Sequence, residues 1–137
     1  MKRKKGFVLD SFALLSFFQA ETGSEKVKNI LEMARSHKVQ TCLSAINFGE
    51  IYYIVARNLG FDVAEEMLAD IKRLPVRIEN ASTERILDAS RIKAEYPLSY
   101  ADAFAVALGK ELVMPVVTGD PEFKAVESLV EIIWLNK

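Results

Sequence analysis

The sequence predicts an α/β fold in which a mainly parallel sheet is covered by helices on both faces. Short apolar runs of strand length alternate with longer segments whose apolar residues recur at helical spacing. Such alternation is typical of parallel sheets that are buried on both faces. The 137 residues contain no linker and no low-complexity tract, so we expect one domain spanning residues 1–137.

The first half of the chain contains two strand candidates. Residues 6–10 (GFVLD) read as a buried strand that ends in an acid, and an apolar helix or turn follows over 11–20. Apolar residues at helical spacing predict a helix over 24–36, with Ser24 as its N-cap. A second strand is predicted over 39–43. The next helix, 44–59, is opened by Ser44 and ended by Gly60.

The second half continues the alternation. The predicted helices are 61–74, ended by Pro75; 82–96, capped by Ser82 or Thr83 and ended at Pro97; 99–111; and a short one from Asp120 and Pro121 to about Val126. The predicted strands are 76–79, one within 114–120, and 130–135. A parallel sheet of this kind binds ligands beyond the carboxyl ends of its strands.

Composition narrows the chemistry that the chain can perform. The net charge is −1 and the pI about 5.9, so contact with a polyanion would need a local patch or metal ions. Cys42 is the single cysteine, which excludes an internal disulfide and favours the cytoplasm. His37 is the single histidine, which excludes a Cys/His zinc site within one chain and disfavours a Ser-His-Asp triad. We therefore expect carboxylates to act.

The start of the chain has a superficial likeness to a signal peptide. MKRKK precedes an apolar stretch, but Asp10 interrupts that stretch, so we expect no signal peptide. No apolar run reaches the roughly 20 residues that a membrane span needs, and we expect no membrane partner.

Four acids are each the only charge in their neighbourhood: Asp10, Glu50, Asp102 and Asp120. Most other acids lie near Lys or Arg on polar helix faces, where they are solvated surface residues. Asp10 and Asp120 follow predicted strands, whereas Asp102 and Glu50 lie in the first and second turns of predicted helices. All four could point into one crevice.

Each of these acids also has a structural interpretation. Asp10 could cap the helix that follows it, and Asp120 before Pro121 is a strong N-cap pattern. Asp102 stands three residues after Ser99, which is the spacing of a capping box. Glu50 could be a buried acid bonded to a tyrosine. A fifth isolated acid, Glu131, is expected to point outward from an edge strand.

A shared pocket would favour a metal ion. Carboxylates brought together repel one another and raise their own pKa values, and a hard divalent cation such as Mg²⁺ or Mn²⁺ removes that conflict. A cation bound by carboxylates can lower the pKa of a water and neutralise charge on a phosphoryl group. The hypothesis that follows is metal-assisted phosphodiester hydrolysis.

Four blocks together resemble the PIN-domain family, and within it the VapC-type toxins. They are VLDSFALLSFF, LSAINFGEIYY, LSYADAFAVALGKE and VVTGDPEF, and in this order they span most of the chain. The resemblance implies a three-layer α/β/α domain and a Mg²⁺- or Mn²⁺-dependent endoribonuclease of a type II toxin–antitoxin pair. It assigns metal ligation and catalysis to Asp10, Glu50, Asp102 and Asp120, with Ser11 and Thr118 in support. The alternative for Ser11 and Thr118 is that their hydroxyls only make hydrogen bonds within turns.

The resemblance also implies the reaction and the partners. Water attacks phosphorus in line and the 3′-oxygen leaves, giving a 5′-phosphate; single-stranded or looped RNA is the expected substrate because its bases are exposed. A homodimer and a cognate antitoxin are implied. The antitoxin would bury an apolar segment in a groove that five aromatic residues could line, although core packing is the alternative for most of them: Phe12, Phe17, Phe18, Tyr52 and Tyr53.

Two other functions stay open. A non-catalytic PIN module would bind RNA or protein, and its signature would be the loss of an acid, which the sequence does not show. A phosphoacceptor signalling domain needs paired acids near the first strand and a lysine after the last one. Asp10 has no adjacent acid, and only Lys137 follows the last strand.

Overall fold

The computed structural model describes residues 5–136. The strands are β1 (Gly6–Leu9), β2 (Gln40–Ser44), β3 (Arg77–Glu79), β4 (Val116–Thr118) and β5 (Ile132–Trp134). The helices are α1 (Ser11–Phe18), α2 (Ser24–Arg35), α3 (Ala45–Leu59), α4 (Phe61–Arg73), α5 (Thr83–Glu95) and α6 (Tyr100–Leu112), and a 3₁₀ helix spans Pro121–Val126. The basic start before Lys5, and Lys137, lie outside the described residues.

The five strands form one parallel sheet in the order β3-β2-β1-β4-β5. In the centre, Val8 of β1 pairs with Cys42 of β2 on one side and with Val116 of β4 on the other. The chain thus builds outward from β1 to β3 and then returns to the opposite side of β1. The order reverses between β1 and β4, and a parallel sheet opens its ligand crevice at such a point.

Helices cover both faces of the sheet because successive side chains of a strand point to opposite sides. Phe7 and Leu9 of β1 pack into a core formed with α1 to α4, whereas Val8 between them packs against α5, α6 and the 3₁₀ helix. Val8 and Leu9 are fully buried. This arrangement confirms the predicted three-layer α/β/α architecture with a parallel sheet.

Side-chain caps explain where most helices begin. Ser44 and Ser82 accept hydrogen bonds from the backbone N–H groups of Ile46 and Arg85, so the cap of α5 is Ser82 rather than Thr83. The prediction of Ser24 as an N-cap is wrong.

The cap of α2 is Gly23, and Ser24 is the first helical residue. Gly23 has φ +91°, in the left-handed region, and a Cβ there would come 2.6 Å from Cβ of Leu135. The start of α2 therefore lies at Gly23 for two reasons: Leu135 approaches too closely for a side chain, and glycine adopts this backbone conformation without strain.

Glu131 is exposed and immediately precedes β5, which is an edge strand, in agreement with its predicted outward position. Between residues 5 and 136, none of the helices has both the length and the apolarity to cross a membrane.

Candidate metal centre

Asp10 follows β1 directly and is almost fully buried, with 1% of its surface exposed. Its Oδ1 accepts a hydrogen bond from the backbone N–H of Ala13 (2.8 Å), so Asp10 does cap α1. Burial raises the pKa of its carboxyl to about 8, with smaller contributions from the charges of Asp102 and Asp120; hydrogen bonds from Thr118 and Ala13 oppose the rise. Asp10 thus caps α1 and is also close enough to Asp102 and Asp120 for their charges to affect its pKa.

Asp102 lies in the first turn of α6 and is 8% exposed. Ser99 caps the helix by accepting the backbone N–H of Asp102 (3.1 Å). The pKa of Asp102 is raised to about 7, mainly by burial. The negative charge of Asp120 adds to the rise, the charges of Glu50 and Glu122 add less, and a hydrogen bond with Ser99 opposes it. A buried carboxylate surrounded by acids is poorly accommodated unless a cation neutralises it.

Glu50 lies in the second turn of α3 and is half-buried. The hydroxyl of Ser11 donates a hydrogen bond to Glu50 Oε1, and Asn47 Nδ2 lies 3.5 Å from the same oxygen. The suggested tyrosine partner is not what the structure shows: Tyr52, on the same helix, interacts with Glu65 instead. The Ser11 hydroxyl thus links the start of α1 to Glu50 on α3.

Asp120 begins the 3₁₀ helix two residues after β4. Its Oδ1 accepts the backbone N–H of Glu122 (2.9 Å), and its own N–H donates to Oγ1 of the fully buried Thr118 (3.0 Å). Thr118 also bonds to Asp10. One hydroxyl therefore connects the acid after β1 with the acid after β4, across the point where the strand order reverses.

Three acids offer ligand oxygens that all lie within 4.8 Å of one another: Asp102, Asp120 and Glu122. We call these residues the acid trio. Asp10 and Glu50 are outside this group but close enough to influence the pKa of Asp102 or to be influenced by it. The sequence argument selected isolated acids and so missed Glu122, which is exposed and has Lys124 two residues away. The D-x-E spacing at a helix start was the signal that could have revealed it.

Asn47 gives an independent indication that the site is built to receive a ligand. It is fully buried, and its Nδ2 donates to the backbone carbonyl of Ala101 (3.1 Å), the residue before Asp102. Its Oδ1 is the one buried side-chain oxygen or nitrogen without a hydrogen-bond partner among residues 5–136. Buried polar atoms are rarely left unpaired, so this oxygen is free to accept a hydrogen bond from a water or ligand. The carboxylate oxygens of the acid trio are ligands that fit a hard divalent cation.

Other nucleophiles are poorly placed. Burial raises the pKa of the Cys42 thiol to about 11, and a buried neutral thiol is inert. His37 is exposed just beyond the end of α2. Of the aromatic residues considered for a groove, Phe17, Phe18 and Tyr52 are partly buried against the core, whereas Phe12 and Tyr53 are 39% and 50% exposed.

Comparisons with known proteins agree with this architecture. The VapBC complex of Salmonella typhimurium, solved with bound DNA, matches with a TM-score of 0.71 at 15% identity over 94% of this chain and 97% of that one. VapBC2 of Rickettsia felis, bound to a promoter DNA fragment, matches with a TM-score of 0.72 at 15% identity over 93% and 97%. VapC20 of Mycobacterium tuberculosis, a toxin that cleaves the sarcin–ricin loop, matches with a TM-score of 0.68 at 19% identity over 89% and 95%.

At these identities the structural matches demonstrate a shared fold. No curated protein sequence matches the chain significantly. The family model of the PIN domain matches residues 7–129, which include all four acids predicted from the sequence. The chain therefore belongs to the PIN-domain family.

Proposed function

We propose that the protein is a divalent-metal-dependent endoribonuclease and the toxin of a type II toxin–antitoxin pair. The observation that carries the proposal is the convergence of the acid trio, within 4.8 Å, beside Asp10 and Glu50 at the carboxyl edge of the sheet. A Mg²⁺ or Mn²⁺ bound here would supply an activated water and neutralise charge on the phosphoryl group.

The chain's own residues have distinct roles in this proposal. Asp10, Glu50 and Asp102 would hold the cation directly or through water. Asp120 would hold a second ion or orient the attacking water, and Glu122 would act on the same side because its carboxylate lies with those of Asp102 and Asp120. Ser11 and Thr118 are positioning residues: the first bonds to Glu50 and the second to Asp120.

The fold supports the proposed partners. The neighbours from Salmonella typhimurium and Rickettsia felis are toxin–antitoxin complexes, and VapC20 is an RNA-cleaving toxin. We extend an RNA substrate, a cognate antitoxin and a homodimer to this chain by analogy of fold. The single buried cysteine is consistent with a cytoplasmic setting.

The test is RNA cleavage by the purified, partner-free protein. Structured and single-stranded RNAs are incubated with Mn²⁺, Mg²⁺ or excess EDTA, using wild type, Asp102→Asn and a matched control, Asp88→Asn. Asp88 is an exposed acid paired with Arg91 on α5. We expect cleavage that requires the metal, is lost in Asp102→Asn and survives in Asp88→Asn.

The main alternative is a non-catalytic PIN module. Metal-independent cleavage, or cleavage that survives in Asp102→Asn, contradicts the proposed site. Absence of cleavage by any variant, with RNA binding retained, favours the non-catalytic module. Mn²⁺ titration by calorimetry separates these outcomes further, because the intact acidic site should bind the ion and the Asp102→Asn site should bind it weakly.

A further inference from the structure

An exposed aromatic ring lies beside the acidic site. Phe12 is the second residue of α1, two residues after Asp10 and one after Ser11. Although large apolar side chains are usually buried, 39% of its surface is exposed. The ring packs over Gly119, the residue between Thr118 and Asp120. Phe12 therefore packs over the turn before Asp120 and lies two residues after Asp10.

Gly119 makes room for this ring. A Cβ built at Gly119 would collide with the Phe12 ring, approaching its Cζ to 2.7 Å, and the three nearest atoms all belong to Phe12. Gly119 is not among the described glycines with positive φ, so its backbone does not require glycine. The space that it leaves is occupied by the ring, which is held against the backbone at the edge of the site.

The Phe12 ring also lines a groove. A cavity of about 270 Å³ runs along α1 and is lined by Phe12, Leu15, Ser16, Gln19, Glu21 and Thr22. It combines aromatic and aliphatic side chains with hydroxyl, amide and carboxylate groups. Unpaired nucleobases are bound in this way, by stacking on an aromatic ring and by hydrogen bonds to their edges. A protein partner would also fit an apolar surface, but the packing of Phe12 against Gly119, between Thr118 and Asp120, favours the substrate.

We propose that Phe12 is a base-stacking platform that binds an unpaired nucleobase of the RNA next to the scissile phosphate. This inference rests on the proposed ribonuclease function and adds a substrate-binding residue to it. Stacking is tolerant of sequence because every base has a π-face. The platform consequently selects unpaired over paired RNA and contributes little choice between bases at that position.

Cleavage kinetics test the proposal on an RNA that the wild type cleaves. Replacement of a stacking aromatic by alanine weakens binding about 5- to 150-fold, so we expect Phe12→Ala to raise KM by that factor while kcat changes little. Phe12→Trp should retain the wild-type KM. The matched control is Phe61→Ala. Phe61 is 70% exposed, and it follows the C-terminal end of α3, whereas Glu50 lies near the N-terminal end of that helix.

A fluorescence measurement reports stacking directly. The same RNA, with 2-aminopurine placed in turn at each position, is titrated into Asp102→Asn protein, which leaves it uncleaved. We expect quenching at one position near the cleavage site, and loss of that quenching when Phe12→Ala is added. Gly119→Ala should also reduce quenching by displacing the ring, and it should have no further effect once Phe12 is alanine.

The outcomes distinguish the two proposals. Metal-dependent cleavage with an unchanged KM and unchanged quenching in Phe12→Ala overturns the stacking platform, leaves the nuclease intact and assigns the ring to a protein partner. Equal loss in Phe61→Ala also overturns it. Absence of cleavage by wild type, with no RNA binding by Asp102→Asn, overturns both proposals.

Discussion

The metal-free acidic site should reduce the stability of the fold, and neutralising Asp102 should restore stability. The raised pKa of Asp102, about 7 in the folded protein against 3.8 for an ordinary aspartate, means that the folded state holds its proton more tightly than the unfolded chain. Stability from this group is therefore complete below about pH 4 and is lost as the pH rises to about 7. At 1.36 kcal/mol per pKa unit, the loss is at most about 4 kcal/mol.

Asparagine has nearly the same shape and carries no charge. In Asp102→Asn, Ser99 still accepts the backbone N–H of residue 102, so the cap of α6 is preserved. In EDTA at about pH 8, we expect the free energy of unfolding to rise by about 2–4 kcal/mol relative to wild type. Below about pH 4 the two proteins should be nearly equal.

Urea unfolding at several pH values measures this difference. Asp88→Asn is the matched control, because Asp88 is exposed and its ion pair with Arg91 is at the surface; we expect a change within about 1 kcal/mol at every pH. The reasoning is refuted if Asp102→Asn is no more stable than wild type at pH 8, or if its advantage is the same at pH 4.

Metal ions should offset most of the stability advantage that Asp102→Asn has in EDTA. A ligand at about a hundred times its Kd stabilises the state that binds it by about 2.7 kcal/mol, and saturating Mn²⁺ should give wild type that gain but Asp102→Asn little of it. Asn47→Asp removes the donor to the Ala101 carbonyl and should lower the free energy of unfolding in urea by about 1–3 kcal/mol. Asn29 is exposed, and Asn29→Asp should change that free energy by less than about 0.5 kcal/mol. Equal effects of the two variants would contradict the role of Asn47. Gly60→Ala should lower the stability of the fold by about 1–3 kcal/mol through backbone strain alone, because φ is +97° and no atom within 4 Å would clash with the new Cβ. Gly49 lies within α3 and also has open space around it, so Gly49→Ala should raise stability by about 0.5–1 kcal/mol. The same sign for both glycine variants would refute the backbone argument.

Local sequence was sufficient for the order and type of the elements. Apolar runs of strand length and helical periodicity place every strand and helix of residues 5–136 within a few positions of where the structure has them. Gly60 ends α3 and Ser44 opens it, because each acts through its own backbone or a side chain within three residues. Ser24 failed as a cap because the conformation there depends on contact between Gly23 and Leu135, far apart in the chain.

The candidate site divides in the same way. Isolation among apolar neighbours selected Asp10, Glu50, Asp102 and Asp120 as candidates, since a charge in such surroundings needs a partner. Isolation could not identify Glu122, which has charged neighbours in sequence and joins the acid trio only in space. It also could not reveal that Asn47 is buried with an unpaired oxygen.

The sequence by itself determined the α/β alternation, most of the helix caps made by side chains, and the isolated acids that we propose as ligands of a cation. The tertiary structure decided which of those acids share a site. The order β3-β2-β1-β4-β5 sets β1 beside β4, and so brings Asp10, Thr118 and Asp120 together although more than a hundred residues separate the two strands. Periodicity and capping act over a few residues, whereas strand order is set by burial of the whole core, so the geometry of the site emerges only when the chain is folded.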